Sequence, residues 1–562
     1  MSVIPVAQVA HFLGFDLPDA SAIQSARLQA LAAGIQGEVT PTSLISYSST
    51  GLVALIGPLA SALSVVEDLS DVPVCLILAT EGGITGGTET RQVAGRAVPV
   101  IYGQPKAVSG FLGKFGIVVG REEGDIDLAQ AMDLSGGYVD MVLDLRREPA
   151  LTQEVLPPGY FAPRGDSLAL DEACQSIREL TGQFEKPRYV LYESDTCAHS
   201  ARGILGCRRC LEACPADALS SVGEKIAVDP HLCHGMGSCA AACPTGALAY
   251  AYPHRVDTLN SLRHVIRTFR DQSGLAPLLV FFAGDEGGSQ IASHLPRLPD
   301  TLIPWRTEEV GSTGPEVWLS ALAYGASSVL IMTADNTPGS VMSSIERQAG
   351  EIQALLRGLG WHTGSIEAVS AQGLVERVSS SAVQPGENFK PATYAGMDEK
   401  RAVLRAAIDH LVSQAGVMPP GEIEMPAGSP FGEIRVNAEK CTLCMGCVSV
   451  CPTGAILDDK ERPCLSFIEW NCVQCGLCAQ ACPEQAIQLH ARVLTDGQAR
   501  MQRRVLNEEA PFECLSCGKP FTTLSMIRKM EEKLSGHRMF VGEGLDRLKL
   551  CEDCRVKSMF EG

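Results

Sequence analysis

Residues 1–185 contain both short apolar runs typical of strands and apolar residues at helical spacing, and together these patterns predict an α/β domain. The continuous apolar run 72–80 predicts a buried strand, because short apolar runs bounded by glycine and proline are typical of a covered parallel sheet. Apolar residues recur at helical spacing over 58–69 and predict a helix there. Pro157 and Pro158 then predict an extended linker, since two adjacent prolines cannot continue a helix.

A second region of alternating strands and helices lies at 255–375 and contains no cysteine. Apolar runs at 277–282 and 327–332 predict buried strands, and the amphipathic segment 341–359 predicts a long helix. Strands that alternate with helices indicate a small parallel α/β domain. Residues 376–430 are rich in Pro, Gly, Ser and Ala and are predicted to be a connector around one helix.

The length of the chain indicates more than one domain, and its net charge disfavours some classes of partner. A chain of 562 residues is too long for a single hydrophobic core. Its net charge of -19 argues against nucleic acid and against an anionic membrane surface as partners. The first residues lack the basic segment of a signal peptide, and the early uncharged stretch 39–66 is broken by serines and glycines. We therefore expect a cytoplasmic protein with no direct membrane span.

The chain contains 22 cysteines, and most of them are clustered rather than spread along the sequence. Small secreted scaffolds use cysteines for disulfides, whereas a long chain without a secretion signal uses clustered Cys-x-x-Cys segments for metal or redox sites. The pattern therefore favours metal binding.

The more regular of two cysteine arrays lies at 431–490. The run Cys441, Cys444, Cys447, Cys451 and Pro452 is repeated as Cys472, Cys475, Cys478, Cys482 and Pro483. Three closely spaced thiolates wrap one face of a cubane, and the fourth begins a short helix that carries it to the neighbouring cluster. The spacing therefore predicts two [4Fe–4S] clusters, one held by Cys441, Cys444, Cys447 and Cys482 and one by Cys472, Cys475, Cys478 and Cys451.

The first array, at 190–252, departs from this spacing at two positions. Ile204 stands where the first cysteine is usual, and Cys197 comes earlier, before a longer loop. Met236 stands where the second ligand of the second run is expected. If the fourth cysteine of each run again crosses to the neighbouring cluster, a [4Fe–4S] cluster is predicted to be held by Cys197, Cys207, Cys210 and Cys243. This crossing leaves Cys233, Cys239 and Cys214 for the neighbouring site.

These three thiolates leave the type of the fourth cluster open. A [3Fe–4S] cluster needs only three thiolates, which makes it the preferred interpretation. A [4Fe–4S] cluster with water or His234 on its fourth iron is the second interpretation, and an empty site is the third. Methionine is a soft ligand in other metal sites, but it would be an unusual ligand of such a cluster.

Residues 505–562 carry two Cys-x-x-Cys pairs, Cys514 with Cys517 and Cys551 with Cys554. Four cysteines in this pattern predict one tetrahedral structural zinc, and a rubredoxin-like iron is the alternative. The sequence contains no dinucleotide-binding, flavin or Walker A motif. No catalytic residue is predicted, and the expected role is electron transfer rather than substrate chemistry.

The cysteine arrays resemble bacterial-type ferredoxins. Residues 310–370 resemble the delta subunit of methyl-viologen-reducing hydrogenase through Glu316–Leu319, Leu322–Ala326 and Ala354–Gly360. That family docks between a hydrogenase and a cluster-bearing partner, so the resemblance implies a docking scaffold. The cluster cysteines of the delta subunit are missing from this region.

The order of the parts also resembles a family of bacterial 4Fe–4S binding proteins found beside formate dehydrogenases. The resemblance extends over nearly the whole chain. It rests on the segments 142–145, 157–163, 197–200 and 517–521. It implies a protein redox partner such as formate dehydrogenase.

The expected fold class is multidomain α/β and α+β, with two bacterial ferredoxin-like modules, two small α/β domains and a C-terminal zinc-ribbon-like module. The predicted domains are an N-terminal α/β domain (1–185), a two-cluster ferredoxin-like domain (190–252), a delta-like α/β domain (255–375), a connector (376–430), a second ferredoxin-like domain (431–490) and a four-cysteine zinc module (505–562). The first hypothesis is an electron-transfer subunit of an oxidoreductase complex. An assembly or maturation factor and a redox sensor are the alternatives.

Overall fold

The structure, a computed structural model, describes residues 6–35, 39–72, 74–80, 87–120, 124–134, 136–361, 365–380, 389–416, 419–459, 461–537, 540 and 543–560. These residues form two α/β units, two cysteine-array units and a C-terminal module. Among them, no helix is both long and apolar enough to cross a lipid bilayer.

The first α/β unit is built on a six-stranded sheet that contains the apolar runs of the sequence. Leu52–Gly57 lies in its middle and pairs in parallel with Val74–Ala79 and Met141–Asp144. The edge strand Thr88–Val93 runs antiparallel to its neighbour. The spatial order of the strands is Tyr160–Phe161, Met141–Asp144, Leu52–Gly57, Val74–Ala79, Arg96–Tyr102 and Thr88–Val93.

Smaller elements complete this unit. Leu44–Ser49 pairs antiparallel with Gly182–Pro187, and this ribbon leads directly into the first cysteine array. Asp166 caps the helix Ser167–Glu179 by accepting a hydrogen bond from the amide of Leu168 at 2.9 Å. The remaining elements are the antiparallel strands Gln104–Ser109, Gly116–Gly120 and Ile126–Asp127, and the helices Leu59–Asp68 and Leu128–Ala131.

The second α/β unit contains a four-stranded parallel sheet. Its central strands are almost fully buried, as expected when helices cover both faces of a parallel sheet. The strands lie in the order Leu302–Thr307, Leu278–Ala283, Ser328–Thr333 and Ile366–Ser370. The helices are Arg255–Ser273, Gly284–His294, Pro315–Ala323, Gly339–Gly358, Ala371–Ser380 and Lys400–Ser413.

Two N-terminal helices, Val6–Leu13 and Ala22–Ile35, pack into the core of the second α/β unit. The sequence predicts them as part of the N-terminal domain 1–185. Leu31 is fully buried there. Gly34 permits a close approach between helices, since a Cβ at this position would lie 2.2 Å from Val265 Cγ2. The hydrophobic period of a helix predicts that it has a buried face, but not which core that face covers.

The segment predicted as a connector also contributes to this core. Its helix Lys400–Ser413 packs against Pro315–Ala323, and both Val403 and Ile408 are fully buried. Residues 381–388 of the same segment lie outside the described residues. The helix is therefore a structural part of the second α/β unit.

Each array unit consists of short antiparallel strands and one-turn helices. The first has the strands Val190–Tyr192, Ser200–Ala201, Ile204–Leu205, Leu219–Val222, Lys225–Val228 and Leu248–Tyr250, and the helices Ser194–Thr196, Arg209–Glu212 and Ser238–Ala242. The second has the strands Glu422–Glu424, Gly432–Val436, Ile456–Asp458, Cys464–Phe467, Ile487–Leu494 and Arg504–Glu508, and the helices Gly446–Ser449, Glu469–Asn471, Leu477–Ala481 and Gly497–Met501.

The C-terminal module is a hairpin followed by helices. Thr523 caps its longest helix by accepting a hydrogen bond from the amide of Met526 at 3.2 Å, and its hydroxyl also contacts the carbonyl of Thr442 in the second array. The module therefore rests on that array. Its elements are the strands Pro511–Glu513 and Pro520–Thr523 and the helices Leu524–Leu534, Glu543–Asp546, Arg547–Lys549 and Glu552–Phe560.

Replacing Leu31 by alanine tests the placement of the N-terminal helices. The lost side chain costs roughly 2–5 kcal/mol. We expect faster amide hydrogen exchange in Arg255–Ser273 and unchanged exchange in Leu52–Gly57, both measured by mass spectrometry. Leu168→Ala is the control, because Leu168 is 69% exposed. Faster exchange confined to the first α/β unit would contradict the placement.

Candidate metal centres

The second array brings its eight predicted ligands together in two groups. One concavity is lined by Cys441, Cys444, Cys447 and Cys482. A second concavity is lined by Cys451, Cys472, Cys475 and Cys478. In each group three cysteines come from one run and the fourth from the other run. This arrangement has the crossing that the spacing predicts.

Burial and polar contacts shift the pKa values of these thiols in opposite directions. Burial raises the pKa of Cys475 to about 11 and that of Cys447 to about 12, and neighbouring thiols add to the shift. Hydrogen bonds reach the sulfurs as well, from the amide of Ala486 to Cys482 Sγ and from Gln474 Nε2 to Cys472 Sγ, both at 3.3 Å. Hydrogen bonds of this kind stabilise thiolates and influence the potential of a bound cluster.

In the first array, a β-hairpin explains the longer loop after Cys197. The strands Ser200–Ala201 and Ile204–Leu205 pair antiparallel, and the loop returns so that the amide of Cys207 donates to the carbonyl of Ala198 at 2.9 Å. The insertion therefore leaves Cys197 beside Cys207.

The thiols of the first array also fall into two groups. Burial raises the pKa of Cys210 to about 12, and the nearby thiols of Cys243, Cys207 and Cys197 raise it further. Burial likewise raises the pKa of Cys239, and the thiols of Cys214, Cys233 and Cys210 raise it further, in that order. These are the four-thiol and three-thiol groups that the crossing predicts.

Met236 occupies the backbone position of a cysteine ligand. It lies between Gly235 and Gly237, with φ of 83° and 73°. In the second array Cys475 likewise lies between two residues with positive φ, Gln474 at 54° and Gly476 at 83°. The loop geometry of a ligand run is therefore kept although the ligand is missing.

The Met236 side chain packs against the hydrophobic core of the second α/β unit. A Cβ on Gly311 would lie 2.6 Å from the carbonyl oxygen of Met236, and a Cβ on Gly237 would lie 2.4 Å from Ser312 Cα. The loop is therefore pressed against that unit. The methionine side chain therefore has a packing role where the loop meets that unit.

His234 directly follows Cys233 in the chain. Burial lowers the pKa of His234 to about 4, so its imidazole is neutral at physiological pH. Its Nε2 is buried and has no hydrogen-bond partner among the described residues. A neutral imidazole with an open nitrogen fits a metal ligand, so the alternative of a fourth ligand from His234 stays open.

The two arrays contact each other through the hairpin of the first. Gln480 Nε2 donates to the carbonyl of Leu205 at 2.9 Å, and a Cβ on Gly206 would lie 2.8 Å from Leu477 Cγ. Burial raises the pKa of Cys207 to about 11, and Cys475 from the other array is among the thiols that add to it. The groups of Cys207 and Cys475 therefore face each other.

This contact orders the four groups along the molecule. Cys239 has Cys210 among its thiol neighbours, and Cys478 has Cys447. From one end to the other the order is the first outer set (Cys214, Cys233, Cys239), the first inner set (Cys197, Cys207, Cys210, Cys243), the second inner set (Cys451, Cys472, Cys475, Cys478) and the second outer set (Cys441, Cys444, Cys447, Cys482).

Three cations that the sequence does not predict lie against these sets. Lys186 Nζ donates to the carbonyl of Cys233 at 2.8 Å, and Arg401 donates to the carbonyl of Cys472 at 3.4 Å. Lys400 Nζ donates to the carbonyl of Ala241, close to Cys243. No sequence motif marks these three residues, because single lysines and arginines are usually exposed to water.

The C-terminal module brings Cys514, Cys517, Cys551 and Cys554 together, with their sulfur atoms all within 4.8 Å of one another. Burial acts to raise the pKa of Cys514, but amide hydrogen bonds from Cys551, Cys517 and Ser516 outweigh it and lower the pKa to about 6. Four sulfurs at these distances, one of them readily deprotonated, fit a tetrahedral Zn²⁺ or iron ion.

Comparison with known families agrees with the arrays. Residues 433–483 and residues 204–247 each match a family described as a 4Fe-4S dicluster domain. The chain carries two 4Fe–4S dicluster domains. The matches confirm the two ferredoxin-like domains, and with the folds above they confirm a multidomain α/β protein.

Several curated proteins are similar to short stretches of this chain. The uncharacterized ferredoxin-like protein YdhY of Escherichia coli (strain K12) is 33% identical over 58 residues, which are 10% of this chain and 28% of that protein. Pyruvate synthase subunit PorD of Thermotoga maritima is 40% identical over 55 residues, 10% of this chain and 54% of that protein. Hydrogenase-4 component A of Escherichia coli (strain K12) is 30% identical over 83 residues, 14% of this chain and 38% of that protein.

The chain spans less than two thirds of the length of each of these relatives. By name they are a ferredoxin-like protein, a hydrogenase component and a pyruvate synthase subunit.

Replacing Cys551 by serine tests the C-terminal site. Serine is a much weaker ligand for zinc than a thiolate, so we expect the loss of one bound metal ion per chain with the iron of the arrays unchanged. Elemental analysis of the purified protein measures both. Cys174→Ser is the control, since Cys174 is buried in the first α/β unit, outside every set. Loss of array iron with the C-terminal metal retained would contradict the assignment.

Proposed function

We propose that this chain is a cytoplasmic electron-transfer subunit that takes electrons from a partner oxidoreductase and gives them to a second carrier. The observation that carries the proposal is the uninterrupted order of the four cysteine sets, joined between the arrays at Gly206 and Leu477. Bound iron–sulfur clusters accept and release single electrons. A chain with ligand sets side by side is suited to pass electrons between two distant surfaces.

Each set has a proposed cofactor. We assign one [4Fe–4S] cluster to each of the two inner sets and to the second outer set. The first outer set has three thiols, and we assign it a [3Fe–4S] cluster in preference to a four-iron cluster with water or His234. The C-terminal module is assigned one structural zinc, held by Cys514, Cys517, Cys551 and Cys554.

The proposed partner is a formate dehydrogenase or a related oxidoreductase. Two relatives are by name a hydrogenase component and a pyruvate synthase subunit, which supports an oxidoreductase as partner. The resemblance to proteins found beside formate dehydrogenases supports the specific choice. Residues 310–370, with their delta-subunit resemblance, are the proposed docking scaffold.

The three-thiol site is tested by EPR of anaerobically purified, mildly oxidised protein. We expect the signal of an oxidised [3Fe–4S] centre. In Met236→Cys this signal should disappear and a fourth four-iron cluster should form, because the loop already has the φ angles of a ligand run. Met236→Leu keeps the packing but adds no ligand, so its signal should match the unchanged protein. Absence of the signal from the unchanged protein would refute the assignment.

The electron-transfer role is tested by affinity purification of the full chain from its native cells. We expect an oxidoreductase to co-purify and to reduce the clusters when its own substrate, such as formate, is added. Reduction is followed by the loss of visible absorbance. The proposal fails if no oxidoreductase co-purifies and no donor reduces the clusters. Clusters that move to an apo-enzyme instead would support the maturation factor, and a cluster change without electron transfer would support the redox sensor.

A further inference from the structure

Two adjacent cations, Lys400 and Arg401, are buried at the start of the helix Lys400–Ser413, only 3% and 8% exposed. A buried charge costs several kcal/mol unless a nearby charge of opposite sign compensates it. Cations also usually stabilise the C-terminal end of a helix rather than its first turn. Both the burial of these two residues and their position in the first turn of the helix are therefore unfavourable for their positive charges.

Lys400 reaches the first array. Its Nζ donates to the carbonyls of Ala240 and Ala241, at 2.9 and 2.5 Å, in the turn that directly precedes Cys243. Its carboxylate partner is Glu316, with Nζ to Oε2 at 3.4 Å. Glu316 also pairs with the buried Arg255, with Nε to Oε1 at 3.3 Å. A second buried carboxylate, Glu351, also lies near Lys400, but it is paired with Arg209 at 3.3 Å. These two carboxylates serve three cations, Lys400, Arg255 and Arg209, so positive charge is left over beside the first inner set.

Arg401 reaches the second array. Its guanidinium donates to the carbonyls of Trp470 and Cys472, and it lies 4.5 Å from the centre of the Trp470 ring. Over the described residues it forms no ion pair with a carboxylate, and its hydrogen bonds go to carbonyl oxygens. Arg500 lies on the same tryptophan ring, but it is paired with Asp409. Glu399 is the nearby carboxylate that acts on Arg401, but the two form no ion pair, so no carboxylate of the described part of the chain contacts the Arg401 charge beside the second inner set.

The iron–sulfur clusters proposed for the two inner sets would supply the negative charge that compensates these cations. A cluster with four thiolate ligands carries net negative charge, and reduction adds one more unit. Fixed positive charge close to the cluster therefore favours its reduced state. Because Lys400 and Arg401 are consecutive residues of one helix, the two inner sets receive this charge from a single rigid element.

We propose that Lys400 and Arg401 are positioning residues that raise the reduction potentials of the clusters in the two facing inner sets. The inference rests on the proposed function in one respect, that the inner sets bind iron–sulfur clusters. Its consequence is that electrons reside preferentially at the middle of the molecule, where the two arrays meet.

The test is a redox titration of the full chain with dithionite as reductant, followed by EPR. Arg401→Gln and Lys400→Gln each remove one charge and should lower the reduced-to-oxidised ratio of an inner cluster roughly tenfold at fixed potential, which corresponds to about 59 mV for a one-electron couple. Arg405→Gln is the matched control, since it removes the same charge one turn along the helix, where Arg405 contacts Met501. It should leave the inner potentials unchanged.

Conservative replacement separates charge from packing. Arg401→Lys keeps the charge and should restore the potential of the unchanged protein. If Arg401→Gln fails to hold its clusters, Arg401→Lys must still hold them, because the charge is what the proposal requires. Cluster content is measured as iron and sulfide per chain. Equal loss in both Arg401 variants would overturn the inference.

Other outcomes are equally decisive. Unshifted potentials in cluster-loaded Arg401→Gln and Lys400→Gln would overturn the inference and leave the proposed function standing. An unchanged chain without iron–sulfur clusters would instead refute the proposed function. Since dithionite reduces the clusters without any partner, the result does not depend on identifying the physiological donor.

Discussion

The arrays depend on burying many thiols that must give up their protons. Burial raises the pKa of Cys210 to about 12 and that of Cys475 to about 11, whereas a metal ligand has to be a thiolate. Folding and metal binding are therefore coupled, because the folded arrays are costly without the metal charge and the metal needs the folded arrays. Amide hydrogen bonds and cations around the sulfurs reduce this cost.

The cations come from the α/β units, which therefore contribute to the surroundings of the cysteine sets. Lys186 extends from the ribbon strand Gly182–Pro187 to the carbonyl of Cys233, and it lowers the pKa that burial of Cys233 raises. Lys400 and Arg401 extend from the second α/β unit to the inner sets. Each of these three sets is thus completed by a residue from outside its own cysteine run.

Local spacing predicts which cysteines lie together in the second array, and the structure groups those cysteines in the same way. The distance between cysteines in a run fixes which thiols can share one site, and the crossing of the fourth cysteine follows from the short helix that it begins. Strands such as Val74–Ala79 and helices such as Gly339–Gly358 were likewise predicted nearly at their observed bounds, since their periods are long and regular.

Contacts between distant segments could not be predicted in this way. The hydrogen bond from Gln480 to Leu205 joins residues far apart in sequence, and the packing of Ala22–Ile35 on Arg255–Ser273 does the same. Neither leaves a periodic pattern. Lys400 and Arg401 resemble the charged residues of an exposed helix, and only the fold reveals that they are buried.

The two departures from ferredoxin spacing have a common physical origin. The longer loop after Cys197 forms the hairpin whose end, at Leu205 and Gly206, contacts the second array. Met236 packs against the core of the second α/β unit. Each departure lies where the first array meets another unit of the chain. A free two-cluster ferredoxin needs neither contact, so the altered spacing is explained by the assembly of the units rather than by a loss of the metal-binding fold.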